Sequence, residues 1–317
     1  MEKKLLSTWN TPLEQMPRLA VALGLNADDL WIKRDDLTGL GGGGNKIRKL
    51  EYTCAQALEN QATTIITVGA AQSNHARLTA AAGAKLGLNV ELILVGEQPT
   101  QVMGNVVLDG LFGAQLHWLG DADDAKLEQA AKQRIDVLAA QGIKAFFIPF
   151  GGTSAISAFG YVDCAEELKQ QLTYLDHVVV ALGSGGTMAG LVHGLGAEKV
   201  YGVQTGAVND PEIRVRQLLS EMQEESFQQD LRIRMDQVGT GYGFLTKEVE
   251  EALALIAQYE GIVLDPIYTG RAFAGLIAAV RDGTIQKGQR TVFLHSGGLP
   301  GFFGHPETLS YASSLAK

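Results

Sequence analysis

Four glycines lead directly into a lysine in the segment Gly41-Gly42-Gly43-Gly44-Asn45-Lys46. Glycine loses more backbone entropy on folding than other residues, so such a run suits a place where a ligand lies against the main chain. The residues that follow favour a helix, and Lys46 is therefore expected at a positive helix end. An ammonium group is disfavoured there, and a neutral amine can form a Schiff base with a carbonyl compound.

A neutral lysine of this kind is the group that holds pyridoxal phosphate. The segment around Lys46 also allows a second interpretation, in which the glycines form a flexible surface loop and the lysines are solvated. The remaining motifs must decide between the two.

A second polar segment, Gly69-Ala70-Ala71-Gln72-Ser73-Asn74-His75, follows an apolar run. Ser73 and Asn74 lie where side-chain oxygens cap a helix, and capping alone would explain them. The same position would also present a hydroxyl and an amide to a ligand.

A third segment, Gly183-Ser184-Gly185-Gly186-Thr187, follows the apolar run 178–181. Small residues at a helix start expose successive N–H groups to an anion, which predicts a phosphate-binding loop. A dinucleotide is the alternative ligand. Its fingerprint usually opens the first βα unit, with an acidic residue about twenty positions on, and the nearest carboxylate here is Glu198.

Tyr268, Thr269 and Gly270 form a fourth segment, and His295-Ser296-Gly297-Gly298 follows a late strand. Turn chemistry could account for each alone. Together with Lys46 and the two earlier loops, they indicate one ligand site at the strand ends of an α/β sheet.

The elements that must position these loops alternate between β-branched runs and Ala-rich helical segments. This succession predicts βαβ units with parallel strands, and the fold class is α/β. Strands are predicted at 63–68, 90–95, 116–119, 145–148, 177–181, 199–203 and 290–295, and helices at 80–86, 122–141, 160–171 and, as a solvated acidic face, 211–229.

Composition narrows the class of protein. The chain has 317 residues, of which 46% are apolar and 19% charged, enough for two domains with real cores. A net charge of −9 argues against a nucleic-acid surface. Cys54 and Cys164 lack metal-ligand spacing and are expected to be buried apolar side chains, so no metal is predicted. No segment resembles a signal peptide or membrane span, so a cytoplasmic protein without a membrane partner is expected.

Five segments together resemble the 1-aminocyclopropane-1-carboxylate deaminase and D-cysteine desulfhydrase family over nearly the whole chain. They are Gly43 to Glu51, Gln72 to His75, Gly183 to Thr187, Gly239-Thr240-Gly241-Tyr242-Gly243 and Leu264 to Gly270. The resemblance implies pyridoxal 5'-phosphate, a small amino-acid substrate, a homodimer and the tryptophan-synthase-β-like fold, called fold type II. It also implies a larger cofactor domain of residues 1–50 and 151–317 and a smaller mobile domain of residues 51–150.

The resemblance also implies roles for individual residues. Lys46 matches the Schiff-base lysine that moves the α-proton, and Ser73 matches a residue that meets the substrate. Tyr242 and Tyr268 match two tyrosines that flank the substrate. The implied cofactor contacts are Asn74 on the ring oxygen, Lys49 as a supporting cation, Ser184, Gly185, Gly186 and Thr187 around the phosphate, and Thr269 facing the pyridine nitrogen.

The position of Thr269 separates the branches of the family, because the cyclopropane deaminases have a glutamate there. A hydroxyl is a weaker partner for a pyridinium, which favours β-elimination from D-cysteine over opening of a cyclopropane ring. L-Cysteate sulfo-lyase, which releases sulfite, shares these motifs and stays open as an alternative. Two other classes also stay open, a nucleotide-dependent α/β enzyme and a binding protein without catalysis.

Overall fold

The computed structural model describes residues 2–316, and Met1 and Lys317 lie outside them. The chain forms two sheets built mainly from parallel strands, each flanked by helices. The α/β class predicted from the alternation of elements is confirmed.

The first sheet has six strands in the order β1-β2-β10-β7-β8-β9. Only the pairing of β1 with β2 is antiparallel. The strands span Leu13–Gln15 (β1), Leu30–Lys33 (β2), His177–Leu182 (β7), Val200–Gln204 (β8), Arg232–Arg234 (β9) and Thr291–Leu294 (β10).

The second sheet has four strands in the order β5-β4-β3-β6, all of them parallel. Its central strands are almost wholly apolar and buried, as expected where helices cover both faces. The strands span Thr64–Ala70 (β3), Asn89–Val95 (β4), Gln115–Trp118 (β5) and Ala145–Ile148 (β6).

The α-helices of the described residues begin and end as follows: Pro17–Ala22 (α1), Lys46–Glu59 (α2), Asn74–Leu86 (α3), Asn105–Leu111 (α4), Asp124–Ala140 (α5), Ala155–Gln171 (α6), Gly186–Leu195 (α7), Pro211–Gln223 (α8), Lys247–Glu260 (α9), Thr269–Arg281 (α10), Leu299–Phe303 (α11) and Pro306–Ser314 (α12). No helix among residues 2–316 is long and apolar enough to cross a membrane.

Two helices differ from their predicted extents. Helix α6 begins five residues before the predicted Gly160, because Ser154 and Ser157 form a reciprocal capping box. Helix α8 ends at Gln223 instead of residue 229, and it is not only a solvated face: Val215 and Leu219 are fully buried in the core.

Helix α2 lies between the two sheets. On one side, Ile47, Leu50 and Cys54 belong to the apolar core around β3 and β4. On another side, Arg48 reaches Asp35, in the turn that follows β2, and Glu167 of α6. The predicted domain boundary at residue 50 falls inside this helix, and the division into domains stays a prediction. Cys54 and Cys164 are both free and buried, as predicted.

A buried ion cluster fixes α2 in this position. The Arg48 guanidinium donates to Asp35 and to Glu167, each at 2.8 Å, and the Lys33 amine donates to Glu167 at 2.7 Å. The Tyr161 hydroxyl donates to Asp35 at 2.6 Å. Although burial acts to raise the pKa of Asp35, the charge of Arg48 lowers it below its ordinary value. Two cations and two carboxylates thus neutralise one another beneath the helix.

Replacing Arg48 with methionine should destabilise the fold strongly, because Asp35 and Glu167 would keep buried charges without this partner. We expect a loss of about 3–5 kcal/mol in the free energy of unfolding, measured with urea on the apoprotein. The matched control is Arg281→Met, which breaks an exposed pair with Glu251 and should cost less than about 1 kcal/mol. Equal losses in the two variants would show that the cluster does not fix the helix.

Candidate active site

A cavity of about 210 Å³ lies where the loops after β3, β6, β7 and β10 meet the start of α2. It is at the carboxyl ends of parallel strands, where open α/β sheets bind ligands. The structure brings most of the predicted site residues to its wall: Lys46, Ser73, Asn74, Ser184, Gly185, Thr187, Tyr242 and Tyr268. Lys49, Gly186 and Thr269 do not line it.

Lys46 is the first residue of α2, as the sequence predicted. Its amine donates to the carbonyl oxygen of Gly151 at 3.1 Å. Burial lowers the pKa of Lys46 to about 8. A minor fraction of the amine is therefore in the neutral form required for Schiff-base chemistry near neutral pH, and burial rather than the helix end is the first cause.

The glycine run before Lys46 serves the protein's own packing, which corrects the expectation that a ligand lies against it. Residues 41–44 all have positive φ, and none of them lines the cavity. A side chain at Gly43 would collide with the backbone carbonyl of Asp36. The Arg77 guanidinium also donates to the carbonyl oxygens of Gly41 and Gly43, at 2.6 and 3.2 Å, and ties this loop to α3.

Ser73 caps α3, as its position predicted, and it also lines the cavity, where its contact with a ligand stays a prediction. Its hydroxyl accepts from the amide of Ala76 at 3.1 Å. The amide oxygen of Asn74 accepts from Arg77 at 3.4 Å and from Asn105 at 3.2 Å. These contacts fix the orientation of Asn74, and its amide nitrogen is the end that remains for a ligand.

The third predicted loop forms the start of α7. Gly185 is the residue before the helix, with φ of 90°, and the helix begins at Gly186. The hydroxyl of Thr187 accepts from the Asn45 amide at 3.1 Å. The hydroxyl of Ser184 lies 2.6 Å from that of Thr153. First-turn N–H groups of α7 point out of the helix toward the loop.

Thr153, which the sequence did not reveal, joins this loop to a buried cation. Its hydroxyl accepts from the Lys49 amine at 2.9 Å. Burial first, and then the charge of Lys46, lower the pKa of Lys49 well below its ordinary value. An anion beside Lys49 would reverse this effect, because an opposite charge favours the charged amine.

Pyridoxal phosphate fits these residues. A Cβ at Gly186 would stand 3.0 Å from the Lys49 amine, and one at Gly183 would stand 3.1 Å from the ring of Tyr268. Glycines at both positions keep space open beside the cation and the ring. The start of α7 and Lys49 suit a phosphate, and the Lys46 amine suits an aldehyde.

Tyr242 and Tyr268 are brought together across the cavity, although 26 positions separate them in sequence. Their hydroxyls lie 2.6 Å apart and their rings meet edge to face at 72°. Burial raises the pKa of both hydroxyls, so both stay protonated near neutral pH. Arg271 holds the loop of Tyr242 by donating to the carbonyl oxygens of Gly241 and Phe244, at 2.7 and 2.9 Å.

Thr269 lies behind the cavity wall and does not line it, and its predicted contact with the pyridine nitrogen stays a prediction. Its hydroxyl donates to a carboxylate oxygen of Asp265 at 2.7 Å, and its amide donates to the same oxygen at 2.9 Å. Thr269 is fully buried at the start of α10, where Asp265 caps the helix. Ser296, at the carboxyl end of β10, lines the cavity instead.

Comparison with known proteins agrees with this geometry. The family described as "Pyridoxal-phosphate dependent enzyme" matches residues 4–297. The chain belongs to this family. The pyridoxal-phosphate-dependent enzymes most like it include a protein of Pyrococcus abyssi provisionally named 1-aminocyclopropane-1-carboxylate deaminase, 40% identical over 96% of this chain and 94% of the other. D-cysteine desulfhydrase of Klebsiella pneumoniae is also 40% identical, over 93% of this chain and 94% of its own.

Solved structures confirm fold type II for this pyridoxal-phosphate-dependent enzyme. A crystal structure of an ACC deaminase homologue superposes with a TM-score of 0.89 and 37% identity, covering 98% of this chain and 96% of the other. Threonine deaminase isoform 2 of Solanum lycopersicum shares the fold at 17% identity, with a TM-score of 0.68, over 97% of this chain and 84% of its own. The predicted cofactor and the class of lyase are thus confirmed.

Two alanine variants should separate the roles of Thr269 and Ser296. Thr269→Ala removes a buried hydrogen bond at the start of α10 and should lower the free energy of unfolding by about 1–2 kcal/mol. Ser296→Ala should leave stability within about 0.5 kcal/mol and lower kcat about tenfold, because Ser296 lines the cavity. Urea unfolding and steady-state kinetics check both. A kcat loss in Thr269→Ala alone would restore the first assignment.

Proposed function

We propose that the protein is a D-cysteine desulfhydrase, which converts D-cysteine and water to pyruvate, ammonia and hydrogen sulfide. One observation carries this proposal. Among residues 2–316, the charged side chains that line the cavity are the Lys46 amine and, at an exposed position, Asp124. The interior therefore suits a small amino acid whose β-substituent is uncharged.

Pyridoxal phosphate, when bound, withdraws electrons from the α-carbon of an amino acid, so that the α-proton is lost and a β-substituent can leave. Lys46 is the base in reach of that proton. Its lowered pKa of about 8 keeps a neutral fraction of the amine available to accept the proton at the α-carbon.

Ser73 and Asn74 are proposed to bind the substrate carboxylate and the cofactor's ring oxygen. They stand at the start of α3, where N–H groups and the helix dipole favour negative charge. The capping bond to Ala76 and the contacts of Asn74 with Arg77 and Asn105 hold both groups in place before a ligand arrives.

The pair of Tyr242 and Tyr268 is proposed to donate a proton to the leaving sulfur. Both hydroxyls are protonated near neutral pH because burial raises the pKa of each. One hydroxyl can donate to the departing sulfur while it accepts from the other across their 2.6 Å contact. The pair thus provides a proton at the point where negative charge develops.

L-Cysteate is disfavoured as the substrate because the cavity wall offers no second cation among the described residues. Its sulfonate would carry a further negative charge into the cavity, where Lys46 is the one cationic side chain of the described residues on the wall. A buried anion without a partner is costly. Asp124 at the exposed edge would repel the sulfonate further.

The hydroxyl side chains proposed as partners of the pyridine nitrogen disfavour the cyclopropane substrate. Opening its ring requires a strong electron sink, which a carboxylate beside the pyridine nitrogen would maintain. The positions available here carry Ser296, on the cavity wall, and Thr269, behind it. A hydroxyl partner is enough for β-elimination of a good leaving group, and this supports the desulfhydrase over the deaminase. The homodimer and the domain division implied by the family belong to the same proposal.

The test is turnover of the holoenzyme with D-cysteine, L-cysteine, L-cysteate, β-chloro-D-alanine and 1-aminocyclopropane-1-carboxylate. Pyruvate, 2-oxobutanoate, sulfide and sulfite are measured separately, with Lys46→Ala as the inactive control. We expect D-cysteine to exceed both L-cysteate and the cyclopropane substrate by about 100-fold or more in kcat/KM.

Other product patterns would contradict the proposal in distinct ways. Efficient 2-oxobutanoate formation with no sulfide from D-cysteine would make the protein a deaminase. If the enzyme prefers L-cysteate and releases sulfite, the proposed β-elimination would be correct but the proposed substrate would be wrong.

A further inference from the structure

Arg214, on α8, lies against the loop that precedes α7. The Cγ of Arg214 would stand 3.3 Å from a Cβ at Gly185, so its aliphatic stem covers this glycine. Its guanidinium donates a long hydrogen bond of 3.5 Å to the carbonyl oxygen of Thr153. The same threonine binds the Lys49 amine through its hydroxyl. Two cations from different helices therefore meet at Thr153.

Neither cation has a carboxylate partner. Among residues 2–316, no carboxylate oxygen lies within the 4.0 Å ion-pair distance of Lys49 or Arg214. Asp124 and Glu128 share a second cavity, of about 250 Å³, with Arg214, but they form no ion pair with it. Arg216, two residues further along α8, differs in this respect, because it pairs with Glu212 at 2.9 Å.

The charges of these groups act on one another. Burial, the charge of Lys46 and the charge of Arg214 all lower the pKa of Lys49. Lys49 is fully buried and Arg214 is half-buried, and like charges that lie close together without an ion-pair partner destabilise the apo form. A dianion at this place would relieve the repulsion.

We propose that Arg214 is a second cationic ligand of the cofactor's phosphate, acting with Lys49 and the start of α7. Ser184 of the phosphate loop lines both cavities, and Arg214 lines the second one. The second cavity, with Arg214 on its wall, therefore adjoins the phosphate loop. A phosphate monoester carries close to two negative charges, which Lys49 alone would not balance. Arginine supplies a planar set of donors that suits phosphate oxygens. The inference concerns the cofactor and does not depend on which substrate the enzyme uses.

The experiment compares binding of pyridoxal phosphate and of pyridoxal, which lacks the phosphate, to the apoprotein. Arg214→Met keeps the aliphatic stem over Gly185 and removes the charge. It should weaken pyridoxal phosphate about tenfold and change pyridoxal by less than about twofold. The matched control, Arg216→Met, removes a paired arginine from the same helix and should change neither.

Two further measurements separate charge from packing. Arg214→Lys should retain affinity for pyridoxal phosphate to within about threefold. Inorganic phosphate should raise the melting temperature of the wild-type apoprotein more than that of Arg214→Met, whose own apo melting temperature should not fall. Three results would each overturn the proposal. They are an equal loss of affinity for both ligands in Arg214→Met, an affinity for pyridoxal phosphate in Arg214→Lys as weak as in Arg214→Met, and no change of affinity in any variant.

Discussion

Burial of positive charge along one helix is the constraint on which the rest of the structure depends. Within the first turn of α2, Arg48 is fully neutralised by Asp35 and Glu167, whereas Lys46 and Lys49 face the opposite side without a carboxylate. The neutral cluster anchors the helix at a cost that only complete pairing offsets. Lys46 then lines the cavity and Lys49 donates to Thr153 beside the start of α7, and burial lowers the pKa of both amines. An aldehyde and a phosphate are the groups that such a pair can bind.

The other residues proposed for the site are oriented by contacts that precede any ligand. Arg77 fixes the loop before Lys46 and the amide of Asn74 together, because it donates to both. Arg271, in the first turn of α10, fixes the loop of Tyr242 by donating to its carbonyl oxygens, and Tyr268 directly precedes this helix. Each arginine spans two segments that are distant in sequence. Proton-transfer groups gain from such preorganisation, since no reorganisation is then needed during the reaction.

The sequence predicted the α/β class, and most of the site residues that it predicted line the cavity, because local motifs at strand ends report where loops converge. It did not predict the directions in which individual side chains point. Thr269 follows Tyr268 directly, but at the start of α10 its hydroxyl donates to Asp265, and its contact with the pyridine nitrogen stays a prediction. Arg214 gave no local signal, since its partner loop is about thirty residues away in a different element. The glycines before Lys46 were attributed to a ligand, although the backbone of Asp36 is what excludes a side chain at Gly43.

The most direct test of the central claim is the protonation of Lys46 itself. Apoprotein is labelled with trace acetic anhydride across a pH series, and acetyl-Lys46 is measured by mass spectrometry against exposed Lys126 as the reagent reference. Burial predicts an inflection near pH 8, above which the neutral amine reacts, and loss of labelling once the cofactor is bound. An inflection near the ordinary lysine value of about 10.4, or labelling that persists in the cofactor-loaded protein, would contradict the account.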